Sequence, residues 1–108
     1  MPTLEGLADA DLLALRLAAQ VLRHKAALAG RPLVARWFED LGRAVDSAMA
    51  RHGVGFVVGE APTLALPREA DESDRAMLVD HLRLVATNPA LSPALRAACA
   101  ELRETVSK

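Results

Sequence analysis

The sequence predicts an all-α protein, a four-helix up-and-down bundle built from two helical hairpins, and three observations predict it. Alanine and leucine, with 22 and 18 residues, fill 40 of the 108 positions, while isoleucine and tyrosine are absent and only Trp37, Phe38 and Phe56 are aromatic. That composition favours helix, because alanine and leucine lose little conformational freedom there and the residues suited to a pleated sheet are scarce. Apolar residues recur at three- and four-residue spacing through most of the chain, which is the period of one helix face. Glycines and prolines gather between these stretches at Gly30-Arg31-Pro32, Gly53 to Pro67 and Asn88 to Pro93, where they punctuate the helices. A chain of this length is expected to form a single domain around one core.

The first predicted helix starts near Asp9 or Asp11, either of which can cap it, and runs to about Ala29. Gly30 then supplies the residue most at ease in the left-handed conformation that follows a helix end. Leu4 and Leu7 are placed to fold back onto it. Pro32 suits the first turn of the second helix, where its missing N–H costs nothing, and that helix runs to about His52 with Gly53 as its stop. Two helices of this length with so short a connection fold back as an antiparallel hairpin. The third helix begins after Ser73, where Asp71, Glu72 and Asp74 meet the positive end of its dipole, and ends near Asn88 because Pro89 restricts its predecessor. Ser92-Pro93, a capping serine before a proline at the first helical position, opens the fourth, which runs to about Val106.

Gly53 to Ala70 is longer than the usual connection in a compact domain. Within it, Phe56-Val57-Val58 and Leu64-Ala65-Leu66 flank Gly59-Glu60-Ala61-Pro62, a pattern open to a small β-hairpin or to an extended flap laid over the helices.

The two long helices have unlike faces. On the second, Leu33, Val34, Trp37, Phe38, Leu41, Ala44, Val45, Ala48 and Met49 form one apolar arc, and Arg36, Glu39, Asp40, Arg43, Asp46 and Ser47 fill the other. Arg36/Asp40 and Glu39/Arg43 stand at ion-pair spacing on the wet side. The first helix leaves only Arg16, Gln20, Arg23 and Ala27 as a narrow polar strip. Leu13, Leu17, Val21 and Leu28 cover one flank, Leu15, Ala19, Leu22 and Ala26 the other, with His24 and Lys25 as interruptions. One hairpin partner cannot cover so wide an arc, and the last two helices are shorter than the first two. Self-association through the first helix, at Leu15, Ala19, Leu22 and Ala26, is the expected outcome. The loop closing over the flank, or a helix from another protein, would cover it equally well.

Chemistry-bearing motifs are sparse. His24, His52 and His81 fall on three different helices with no second imidazole one turn away, so metal-ligand spacing is lacking. Gly53-Val54-Gly55-Phe56-Val57-Val58-Gly59 begins like a dinucleotide fingerprint, yet its last glycine comes one place late and a helix precedes it where a strand is required. Without a lysine it makes no P-loop either. Ser47, Ser73 and Ser92 read as caps or a wet helix position, and the paired carboxylates Glu39-Asp40, Asp71-Glu72 and Glu101/Glu104 read as solvated surface. No catalytic, cofactor-binding or metal-ligating residue is assigned. Cys99, in Ala97-Ala98-Cys99-Ala100, is expected to be buried and inert.

Fourteen acidic against thirteen basic residues give a net charge of −1, which speaks against nucleic acid and against an anionic membrane surface. The sum conceals an asymmetry: seven basic and three acidic residues lie between Arg16 and Arg51, six acidic and two basic between Glu60 and Asp80. Such a distribution orients partners more than it adds affinity. Eleven arginines against two lysines match the codon bias of a GC-rich bacterial genome. The start of the chain carries Glu5 and no basic leader, and no apolar run approaches a membrane span, so a cytoplasmic location is expected. The function these features favour is a non-catalytic protein-interaction module, regulatory or adaptor, homodimeric through its first helix. The alternative is a binder of a small apolar molecule in a pocket between the second helix and the 53–70 loop, lined by Trp37, Phe38, Met49 and Phe56.

Overall fold

Two glycines with positive φ, Gly30 at 74° and Gly53 at 81°, end the two longest helices, as their sequence positions predict. The structure is a computed structural model and describes residues 2–53 and 63–107. It holds a single turn, α1 (Pro2–Glu5), and four long helices, α2 (Asp9–Leu28), α3 (Pro32–Arg51), α4 (Glu72–Ala86) and α5 (Pro93–Ser107). No strand occurs among the described residues. Of the segment open to a β-hairpin or a flap, Phe56-Val57-Val58 lies outside them and Leu64-Ala65-Leu66 follows an irregular path.

At the end of α2 the Arg31 N–H donates to the Ala26 carbonyl (2.9 Å) and the Gly30 N–H to the Ala27 carbonyl (3.1 Å). This paired closure satisfies carbonyls that the helix end would otherwise leave bare, and it turns the chain directly into Pro32. α2 and α3 therefore pack as one antiparallel hairpin, and α4 and α5 as a second, with the hairpins meeting mainly through α3 against α4 and α2 against α5. One apolar cluster runs through all of them. Leu12, Leu15 and Ala26 of α2, Val34, Trp37, Phe38 and Leu41 of α3, Leu78 and Leu82 of α4, and Leu95, Cys99 and Leu102 of α5 are all buried in it. Leu4 and Leu7 fold back into the same core, as expected. Each such leucine contributes roughly 1.5 to 3 kcal/mol of transfer free energy.

The caps differ in part from expectation. α2 is preceded by Ala8 with no side-chain cap. Asp9 and Asp11 are drawn elsewhere by better partners: Asp9 Oδ1 lies 2.8 Å from His52 Nδ1, and Asp11 accepts from the Ser92 hydroxyl at 2.8 Å. α4 starts at Asp71, whose carboxylate accepts from the Asp74 N–H (2.8 Å) while Asp74 accepts from the Asp71 N–H (3.2 Å). Those bonds, led by the Asp74 N–H and joined by Arg31, hold the Asp71 carboxyl below its ordinary range. Ser92 caps α5 by accepting from the Leu95 N–H at 3.1 Å, as its place before proline predicts.

Candidate interaction surface

Surface ion pairs mark how the faces of the α2/α3 hairpin are turned. At the open end His52 meets Asp9, and Arg51 reaches Glu5 at 3.0 Å. The Asp9 carboxylate, helped by the Glu5 carbonyl, raises the His52 pKa above 6.5. Along one edge, Arg16 pairs with Asp46 at 2.8 Å and Arg23 with Glu39 at 4.0 Å. The polar strip of α2 thus lies beside the polar strip of α3. The ion pairs expected within α3 are replaced by these and by Arg43 with Asp40 at 3.5 Å. Ser47, expected on the wet side of α3, is buried.

With the polar edges joined, one apolar flank of α2 turns inward and the other turns out. Leu15, Ala19, Leu22 and Ala26 are the inward flank, at 1%, 1%, 7% and 0% exposure. The expectation that these four form an intermolecular seam is corrected: they are the seam between α2 and the rest of its own chain. In the same core the rings of Trp37 and Phe38 meet edge to face at 5.2 Å. The outward flank is Leu13, Leu17, Val21 and Leu28, at 47%, 54%, 55% and 76% exposure. It stands on the opposite side of α2 from the core.

The groove between α2 and α3, about 590 Å³, is bordered by Arg23, His24, Arg36, Glu39 and Arg43. Arg23 pairs there with Glu39 and Arg43 with Asp40, which leaves Arg36 without an ion-pair partner among the described residues. A second cavity, about 320 Å³, lies between α3 and the 63–67 segment and is lined by Leu33, Arg36, Trp37, Asp40, Leu66 and Pro67. Of the four residues expected to line an apolar pocket there, only Trp37 does so. Phe38 is a core residue that borders a different groove, Met49 packs against the core, and Phe56 lies outside the described residues. The Trp37 indole N–H is buried without a hydrogen-bond partner among the described residues.

The remaining candidates for chemistry are dispersed. His81 Nδ1 donates to the Met77 carbonyl at 2.7 Å and its ring rests 5.9 Å from that of Phe38, so this side chain is committed to packing. His24 is exposed. Among the described residues no three His, Cys, Asp or Glu side chains gather as metal ligands would, and no helix is long and apolar enough to cross a membrane. Cys99 is buried as expected, and desolvation pushes its thiol up to about 11, far from the thiolate that reactivity requires. One polar cluster carries no local signal in the sequence: Arg31 lies between Asp71 (3.3 Å) and Asp74 (3.4 Å) and ties the α2–α3 turn to the start of α4. No protein-family model matches the chain, and no curated protein or solved structure is significantly similar to it.

Proposed function

We propose that the chain is a non-catalytic protein-interaction module of a bacterial cytoplasm, regulatory or adaptor in role, that works through the outer face of α2. The observation that carries this reading is the stripe of Leu13, Leu17, Val21 and Leu28, exposed on the side of α2 turned away from the core. Single exposed leucines are ordinary, but three leucines and a valine along one helix flank make a patch of roughly 450 Å², the size of the largest apolar patch on a typical monomer, which is often a functional one. Self-association is the simplest use of such a face.

A native mass spectrum of the untagged protein from its producing cells tests the reading. A dimer near twice 11.5 kDa, or a complex with another polypeptide, supports it. A bare chain, unchanged when Leu17 and Val21 are replaced by glutamate, sinks it. The cavity beside Trp37 favours a second reading, an apolar-ligand binder, since it lies between α3 and the loop and its volume reaches the lower end of the range such sites occupy. A small adduct in the same spectrum, together with quenching of Trp37 fluorescence by an added apolar ligand, would promote it.

A further inference from the structure

We infer that the outer face of α2 is covered by the same face of a second copy, the two helices lying antiparallel about a two-fold axis near Val21. The inference rests on the interaction reading above and names its partner. Its first support is the spacing: Ala10, Ala14, Leu17, Val21, His24 and Leu28 recur in alternating steps of three and four residues, the seam of a helix pair, with Leu13 beside it. His24 is the only polar side chain in that seam. A two-fold axis near Val21 sets Leu13 of one copy near Leu28 of the other and Leu17 near His24, so both ends of the contact carry a large apolar side chain.

The second support is charge. The first turn of α2 holds Asp9 and Asp11, and its last two turns hold Arg23, His24 and Lys25. Lys25 has no ion-pair partner among the described residues, and Asp11 stands on the same side of the stripe. Antiparallel pairing brings the acidic end of each helix to the basic end of the other, with the helix dipoles opposed, whereas parallel pairing would juxtapose like charges. Area is the third. The stripe alone exposes roughly 450 Å², and its exposed neighbours Ala10, His24 and Lys25 widen the face toward the ~800 Å² per partner that a stable interface buries.

Sedimentation equilibrium of the whole chain tests this, with circular dichroism to confirm that each variant stays folded. Wild type is expected at twice 11.5 kDa at high micromolar concentration. Leu17→Glu should weaken the dimer by roughly 100-fold or more without loss of helicity, since each copy would bury a carboxylate. His24→Leu should tighten it by roughly tenfold, a gain that a misfolded variant could not produce. Single cysteines report the geometry, because Cys99 is buried. Val21→Cys should form a disulfide with itself near the axis, and Leu13→Cys should do so only when mixed with Leu28→Cys. A monomeric wild type, a dimer indifferent to Leu17→Glu, or ready Leu13→Cys self-pairing would each overturn the arrangement. A photo-crosslinker at position 13 separates the two levels of failure. An adduct with a different polypeptide ends self-pairing and leaves the interaction module standing; a monomer with no adduct removes both.

Discussion

α2 and α3 are equally long, lie side by side in one hairpin and share a core, yet they solve different problems. α3 sorts its side chains cleanly: Val34, Trp37, Phe38, Leu41, Val45 and Ala48 are buried, while Arg36, Glu39 and Arg43 remain wet. Its large apolar side chains are buried or half-buried within its own chain. α2 carries two apolar flanks separated by a thin polar edge, and the fold uses only one. The difference shows that apolar content and burial are separate quantities. An amphipathic helix reports where the core is, whereas a helix apolar on both sides leaves that choice to its tertiary contacts.

The sharpest way to break the comparison is through the ring at the centre of the core. Trp37→Ala should cost about 3 to 5 kcal/mol in urea unfolding, because a large buried side chain is lost and the fixed helices around it cannot close the space. A midpoint close to wild type would mean that α3 does not anchor the core. Within α2 the contrast should appear between residues two apart. Leu15→Ala, from the buried flank, should cost about 2 to 5 kcal/mol. Leu17→Ala, from the exposed one, should stay within about 0.5 kcal/mol when measured at a concentration low enough to keep the chain monomeric. Equal costs would erase the distinction between the two faces.

That contrast also marks the limit of what the sequence disclosed. The four long helices, both glycine stops and the Ser92 cap followed from local chemistry, and local chemistry is what one chain displays directly. Both flanks of α2 were legible as apolar, but their assignment was not. Leu15, Ala19, Leu22 and Ala26 look no more buried on a helical wheel than Leu13, Leu17, Val21 and Leu28. The choice is made by which way the hairpin closes, and the exposed ion pairs of Arg16 with Asp46 and Arg23 with Glu39 follow from that closure. Asp9 and Asp11 were misread as caps for the same reason, since their partners, His52 and Ser92, are distant in sequence. The lining of the cavity beside α3 was legible only at Trp37, because Trp37 and Phe38, adjacent in sequence, turn to different surroundings.

A smaller effect sharpens the comparison between the hairpins. Ser92 both caps α5, through the Leu95 N–H, and donates to Asp11 on α2, so it is a polar rivet between the second hairpin and the helix with the uncovered face. Ser92→Ala should cost about 1 kcal/mol in chemical unfolding, the usual value of an N-cap, plus the Asp11 bond that any variant without the hydroxyl loses. Ser92→Gly should cost only a few tenths from capping, plus whatever the Asp11 bond is worth. A glycine variant as destabilised as the alanine variant would assign the effect to the bond between hairpins.

The smallest expected effect lies at the open end of the α2/α3 hairpin, where His52 meets Asp9 and the Glu5 carbonyl. Hydrogen bonding to the Asp9 carboxylate raises the folded pKa of His52 above its ordinary 6.5. A proton held more tightly in the folded state favours folding: the contribution is complete below pH 6.5 and disappears as the pH climbs through the raised folded value. Because the pair is open to solvent, salt should screen it. α3 has no such sensitivity at Trp37, so the pH dependence should belong to the ends that tether α1 and α2. Thermal unfolding of wild type and His52→Gln on both sides of that window provides the measurement. Wild type should lose part of its advantage over the variant on the alkaline side, and lose less of it at high salt. Parallel pH profiles for the two proteins would show that the His52–Asp9 contact, though formed, does not help to hold the hairpin shut.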